Sequence, residues 1–181
     1  MTRRQLLMSA RGIVIAASAI SLAGPRSAFA AGPDEEQAEL ANAMSNAKVS
    51  LQQGLKAGER EGQPISGKFE VEDGKLQLSV YTAKEGKFFE VIVDHMTGNI
   101  AKVEPITEGE DLIHAKLQKA AMDGAKVKLS DATEKAKGQV KGPDGDVLVV
   151  SVVPLLKGKS PEASIVLLTG KRFSTASERL D

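Results

Sequence analysis

The chain has 181 residues, 27% of them charged, with 24 Lys and Arg against 24 Asp and Glu and a formal net charge of zero. That length fits one or two small globular units and excludes a large multidomain enzyme. No cysteine is present, so disulfides, thiol nucleophiles, Cys-ligated zinc and iron–sulfur sites are all excluded.

Residues 1–30 hold four arginines (Arg3, Arg4, Arg11 and Arg26) and no acid. An apolar run from Gly12 to Ala23 follows the first three, and Ala28-Phe29-Ala30 closes the segment. Basic region, short apolar region and small-x-small site in this order are read as a secretory signal peptide, cut near Ala31. The apolar run is short for a bilayer span, and Pro25-Arg26 interrupts it. Thr2-Arg3-Arg4-Gln5-Leu6-Leu7 resembles a twin-arginine signal, and an ordinary Sec signal fits as well. Either route places the mature protein in a bacterial periplasm with no membrane span of its own. Removing the leader leaves 20 bases against 24 acids, which argues against non-specific nucleic-acid binding. The surplus acid lies in residues 31–104, not in 105–181.

Ala43-Met-Ser-Asn-Ala-Lys-Val-Ser-Leu51 returns as Ala121-Met-Asp-Gly-Ala-Lys-Val-Lys-Leu129, six identities in nine at an offset of 78. The sequence therefore reads as a tandem duplication, 31–104 and 105–181. Thr97-Gly98 against Thr169-Gly170 extends the echo and would make the second copy about six residues shorter.

In the first copy, apolar spacing predicts a helix over 34–47. Ser50 then caps a second helix, whose Gly54 and Gly58 allow close approach to a sheet. Period-two alternation predicts strands over 65–72, 75–83 and 87–94, with hairpin turns at Asp73-Gly74 and Glu85-Gly86. A short edge strand is expected over 100–103. In the second copy the pattern predicts a helix over 111–125 and a capping box at Asp131-Ala-Thr-Glu134. It then predicts a turn at Pro143-Asp144-Gly145 and strands over 147–155 and 164–168. Pro154 marks an edge or an end of its strand, and the polar tail 174–181 is expected to fray.

Residues 48–104 resemble a PepSY domain. The resemblance rests on Leu51-x-x-Gly54-x-x-x-Gly58, on the alternating hairpin from Glu70 to Val80 ending in Tyr81, and above all on Val91-Ile-Val-Asp94-His-Met-Thr97-Gly98-Asn99-Ile100. Residues 125–181 resemble a degenerate second copy, with Val166 where the aspartate belongs. The resemblance implies an extracytoplasmic α+β fold, a tandem repeat of helix packed on a small antiparallel sheet. It also implies a role in binding and peptidase regulation, and fold alone does not fix function.

Alternation assigns Phe69, Val71, Leu76, Leu78, Val80, Phe89, Val91 and Val93 to a helix-covered face. The opposite face carries Lys68, Glu70, Gln77, Ser79, Tyr81, Phe88, Glu90 and Ile92. Tyr81, Phe88 and Ile92 are costly to leave wet. Two readings follow: a surface for a protein partner, such as a peptidase or envelope protein, with Tyr81, Phe88, Glu90 and Ile92 as contacts, or a face covered by the second copy or by the partner of a homodimer. The strand over 147–155, apolar on both sides, favours the covered reading.

Asp94 before Thr97-Gly98 reads as a structural turn residue whose carboxylate binds backbone N–H groups. His95 and His114 lack ligand spacing, so neither a metal site nor a cofactor site is expected. Glu70, Glu72, Asp73, Glu85 and Glu90 supply the alternative of a carboxylate-based metal-binding protein of the envelope. Gly158-Lys159-Ser160 lacks the first glycine of a P-loop, since Val153 stands there. No nucleophile with a base is legible, and a non-catalytic module is the expectation.

Overall fold

The computed structural model describes residues 35–140 and 146–181. The segment read as a leader, with its expected cut near Ala31, and the turn expected at Pro143-Asp144-Gly145 lie outside them. Two helices, α1 (Glu35–Met44) and α2 (Leu51–Gly58), precede four strands: β1 (Gln63–Glu72), β2 (Lys75–Lys84), β3 (Lys87–Val93) and β4 (Ile100–Ile106). Then come α3 (Gly109–Asp123), α4 (Leu129–Gln139), β5 (Val147–Lys157), β6 (Ser160–Thr169) and β7 (Arg172–Arg179). The strands form one antiparallel sheet in the order β4-β3-β2-β1-β5-β6-β7, so the protein is α+β. Among the described residues no helix is long and apolar enough to cross a membrane.

Local chemistry explains the first half. Ser50 Oγ accepts from the Gln53 N–H, and the Gln53 side chain accepts from the Ser50 N–H, a full capping box that starts α2. Both hairpin turns place two successive residues at positive φ, Asp73 with Gly74 and Glu85 with Gly86, the backbone that matches strand twist. α2 then lies directly on β2. A Cβ on Gly54 would stand 2.7 Å from Leu78 Cδ2, and one on Gly58 would stand 2.6 Å from Val80 Cγ1. Val80 is fully buried and stiff at χ1, so it cannot swing aside. Gly58→Ala is therefore expected to destabilise by about 1–3 kcal/mol through overpacking. Urea denaturation checks this; a gain in stability, as at an exposed helical glycine, would place α2 farther from the sheet.

The core lies between the sheet and the face that α2 and α4 cover. Phe69, Leu78, Val80, Val91 and Val93 are buried as expected, joined by Val147, Val149, Val152, Ile165 and Leu167 from the second half. Phe89 is only half-buried, because the register places it opposite Thr82 and Pro105 near the strand ends. The halves join where β1 meets β5, through Gly67↔Val152 and Lys68↔Ser151. α2 and α4 pack on each other above this seam.

Several expectations about the second half are corrected. α4 starts at Leu129 with Lys128 at its N-cap and no side-chain cap bond, so Asp131 lies inside the first turn. Leu129 is buried and its packing sets the start of the helix. Pro154 neither ends β5 nor puts it on the edge: the strand runs on to Lys157, paired with β6. The proline is tolerated because pairing with β1 is confined to residues 151 and 152. β5 is not buried on both faces either. A bulge at Val150 shifts the alternation, so Val147, Val149 and Val152 face the core while Leu148, Val153 and Leu155 stay 38–40% exposed.

The tail does not fray. Residues 172–179 form β7, Leu180 is fully buried, and its carbonyl accepts the N–H groups of Lys126 (2.6 Å) and Val127 (3.0 Å). In the first half the His95 carbonyl likewise accepts from Lys48 (2.9 Å) and Val49 (3.0 Å). Thr169-Gly170 sits in the β6–β7 hairpin, whereas Thr97-Gly98 follows β3, so the two dipeptides do not hold like positions. Arg179, just before Leu180, stands where Asp94 stands before His95.

Candidate binding face

The sheet face turned away from α2 gathers the residues singled out in the sequence. Register places Ser66, Tyr81, Glu90 and Glu104 in one row across β1 to β4. The next row is Ser151, Lys68, Ser79, Ile92 and Lys102, running from β5 to β4. Tyr81, Glu90 and Ile92 are half-buried. Phe88 is a correction: at 9% exposure it belongs to the core, paired with Ala83 and Ile106, and offers nothing to a partner. α3 reaches this face at Ser66, whose hydroxyl donates to Gln118 Oε1 at 2.7 Å. α3 also contacts β2, β5 and β6, so the second half covers this face around Ser66.

Polar groups here satisfy one another along and across strands. Lys68 Nζ meets Glu70 Oε2 at 2.6 Å, and Lys102 Nζ meets Glu104 Oε1 at 2.8 Å. The Tyr81 hydroxyl donates to Glu90 Oε1 at 3.2 Å, and Lys68 Nζ lies 5.8 Å from the centre of the Tyr81 ring. Burial, then the charges of Glu90, Glu70 and Asp111, pushes the Tyr81 hydroxyl far up, so it remains a neutral donor rather than a base. Burial likewise raises the Glu90 carboxyl, opposed by hydrogen bonds from Ser79 and Tyr81.

This shift has a sign. A carboxyl that holds its proton more tightly in the folded state contributes stability that is full below its unfolded pKa and is lost as pH rises through the folded one. Glu90→Gln keeps an acceptor for Tyr81 and removes the buried charge. The variant is expected to melt above the parent at neutral pH, with the gap closing as the pH falls and the parent carboxyl takes up its proton. A gap that widened in acid would reverse the assignment.

Asp94 takes the structural role read from the sequence. Its Oδ1 accepts from Met96 N–H at 2.8 Å and Thr97 N–H at 2.9 Å, and these bonds hold its carboxyl below the usual range. Gly98, at φ +77°, closes the turn by donating its N–H to the Asp94 carbonyl. The five acidic residues do not gather: Glu72 and Asp73 lie at one end of β2, Glu85 at the other. Among the described residues no three His, Cys, Asp or Glu side chains form a group able to hold a metal. Elsewhere, a cleft of about 320 Å³ between α2 and α4 has Leu55, Met122 and Leu129 in its wall and the Lys128–Glu59 ion pair, 2.9 Å, at its side.

The sequence missed Leu148, Val153 and Leu155. They lie on the same face as Lys68 and Tyr81, because Ser151 pairs with Lys68 and alternation carries Val153 and Leu155 to its side. No protein-family model, curated protein or solved structure matches the chain.

Proposed function

We propose that the chain is an exported, non-catalytic binding module of the bacterial periplasm, built as a tandem PepSY-like repeat. On this reading a protein, such as an extracytoplasmic peptidase or another envelope protein, docks on the sheet face opposite α2. The observation that carries it is the exposure of Leu148, Val153 and Leu155 on the sheet face that also carries half-buried Tyr81 and Ile92. Apolar side chains grouped on a surface and interleaved with charges fit an interface better than open solvent.

The repeat reading is supported by the paired backbone bonds before α2 and α4, from Lys48 and Val49 in one half and Lys126 and Val127 in the other. These donors are 78 residues apart, the offset of the sequence echo. Their acceptors, His95 and Leu180, each lie just past the third strand of their half. Export is supported by the leader's residue pattern alone.

Crosslinking in a periplasmic extract tests the docking reading. The parent should capture a defined protein that a folded Val153→Ser, Leu155→Ser variant loses. Equal capture by both would move the interface elsewhere.

A further inference from the structure

Resting on that docking reading, we infer that the partner seats an arginine side chain, flanked by apolar residues, against Glu90. The argument is one of charge complementarity. Both cations in the two rows are committed: Lys68 to Glu70 and Lys102 to Glu104, each along its own strand. Glu90 forms no ion pair within 4 Å among the described residues; it accepts from the Tyr81 hydroxyl and feels Lys68 only at longer range. Ile92, two residues on, is half-buried on the same face.

A neutral apolar partner closing over this surface would strip the remaining water from Glu90 and leave a buried, unpaired charge, which costs several kcal/mol. A partner that brings a cation converts that cost into a pairing. Arginine fits better than lysine, because its planar fork can bridge the carboxylate with two parallel hydrogen bonds. One apolar flank would meet Ile92, two residues along the same strand.

The protein carries its own reporter, since Tyr81 is the only tyrosine and there is no tryptophan. Tyrosine fluorescence of the full chain would be titrated with a short peptide holding a central arginine between leucine and valine flanks, and with the same peptide holding neutral citrulline. The arginine peptide should bind about tenfold tighter or better, the scale of one charge-assisted bond. Glu90→Gln should erase that preference, and Glu104→Gln, whose carboxylate already has Lys102, should keep it. Circular dichroism verifies that both variants fold.

Equal binding of the two peptides, lost in the Val153→Ser, Leu155→Ser variant, would overturn the arginine assignment and leave the docking face standing. A preference that survived Glu90→Gln would also overturn it. If neither peptide binds the parent, the assignment falls, and the crosslinking result decides the docking face separately.

Discussion

Replacing Phe69 with alanine is expected to lower the free energy of unfolding by about 3–5 kcal/mol. The ring is 3% exposed, faces Leu78 across the β1–β2 ladder, and lies beside Met44 of α1 and Val147 and Val149 of β5. With these residues it lines a cleft formed by elements of both halves. Its loss opens a cavity at the seam, where only two residue pairs join β1 to β5 and little backbone pairing can close the gap. Because the halves share this core, the variant should still unfold in one transition, shifted to lower urea with the slope nearly unchanged. Two separated transitions would show that the halves are independent domains. A loss below about 1 kcal/mol would mean the site collapses freely, contrary to close packing. Phe89→Ala should cost less, since that ring is only half-buried.

Where a local rule decided the outcome, the structure was legible in the sequence. Ser50 with Gln53, the Asp73-Gly74 and Glu85-Gly86 turns, and the close approach at Gly54 and Gly58 each follow from a few adjacent residues. Alternation also sorted the first three strands onto two faces correctly, Phe88 included, but not the burial of Phe88 on its face, which depends on Ala83 and Ile106 in neighbouring strands.

The failures share a cause in non-local contacts. Nothing near Val150 announces a bulge, yet one extra residue turns Val153 from core to surface. Asp131-Ala-Thr-Glu134 has the letters of a capping box, but α4 begins where Leu129 packs. Carrying Ser50 forward by the repeat offset would have pointed to Lys128 as the cap position. β7 was hidden because its side chains are mostly small or polar, with Glu178 buried by Lys135 and Gln139 of α4 rather than by its own neighbours.

That same tail yields the second large effect. Leu180→Ala should cost about 2–5 kcal/mol, because a side chain with no exposed surface is removed one residue from the end of the chain. Deleting Leu180 and Asp181 together should cost about 1–3 kcal/mol more than the alanine variant. The alanine variant keeps the carbonyl that accepts from Lys126 and Val127 and the N–H that donates to the Pro161 carbonyl at 2.9 Å; the deletion removes all three bonds. These bonds fix the α3–α4 connection to the end of β7 and the start of β6, so their loss should loosen α4 as well. Hydrogen exchange would then show faster exchange in α4 for the deletion than for Leu180→Ala. Asp181→Asn is the control: its partner Arg179 is exposed, and the pair is worth little. A deletion variant that melts with the full chain would return residues 174–181 to the frayed tail their polarity suggests, and α4 would then be held by Leu129, Ala132 and Ala136 alone.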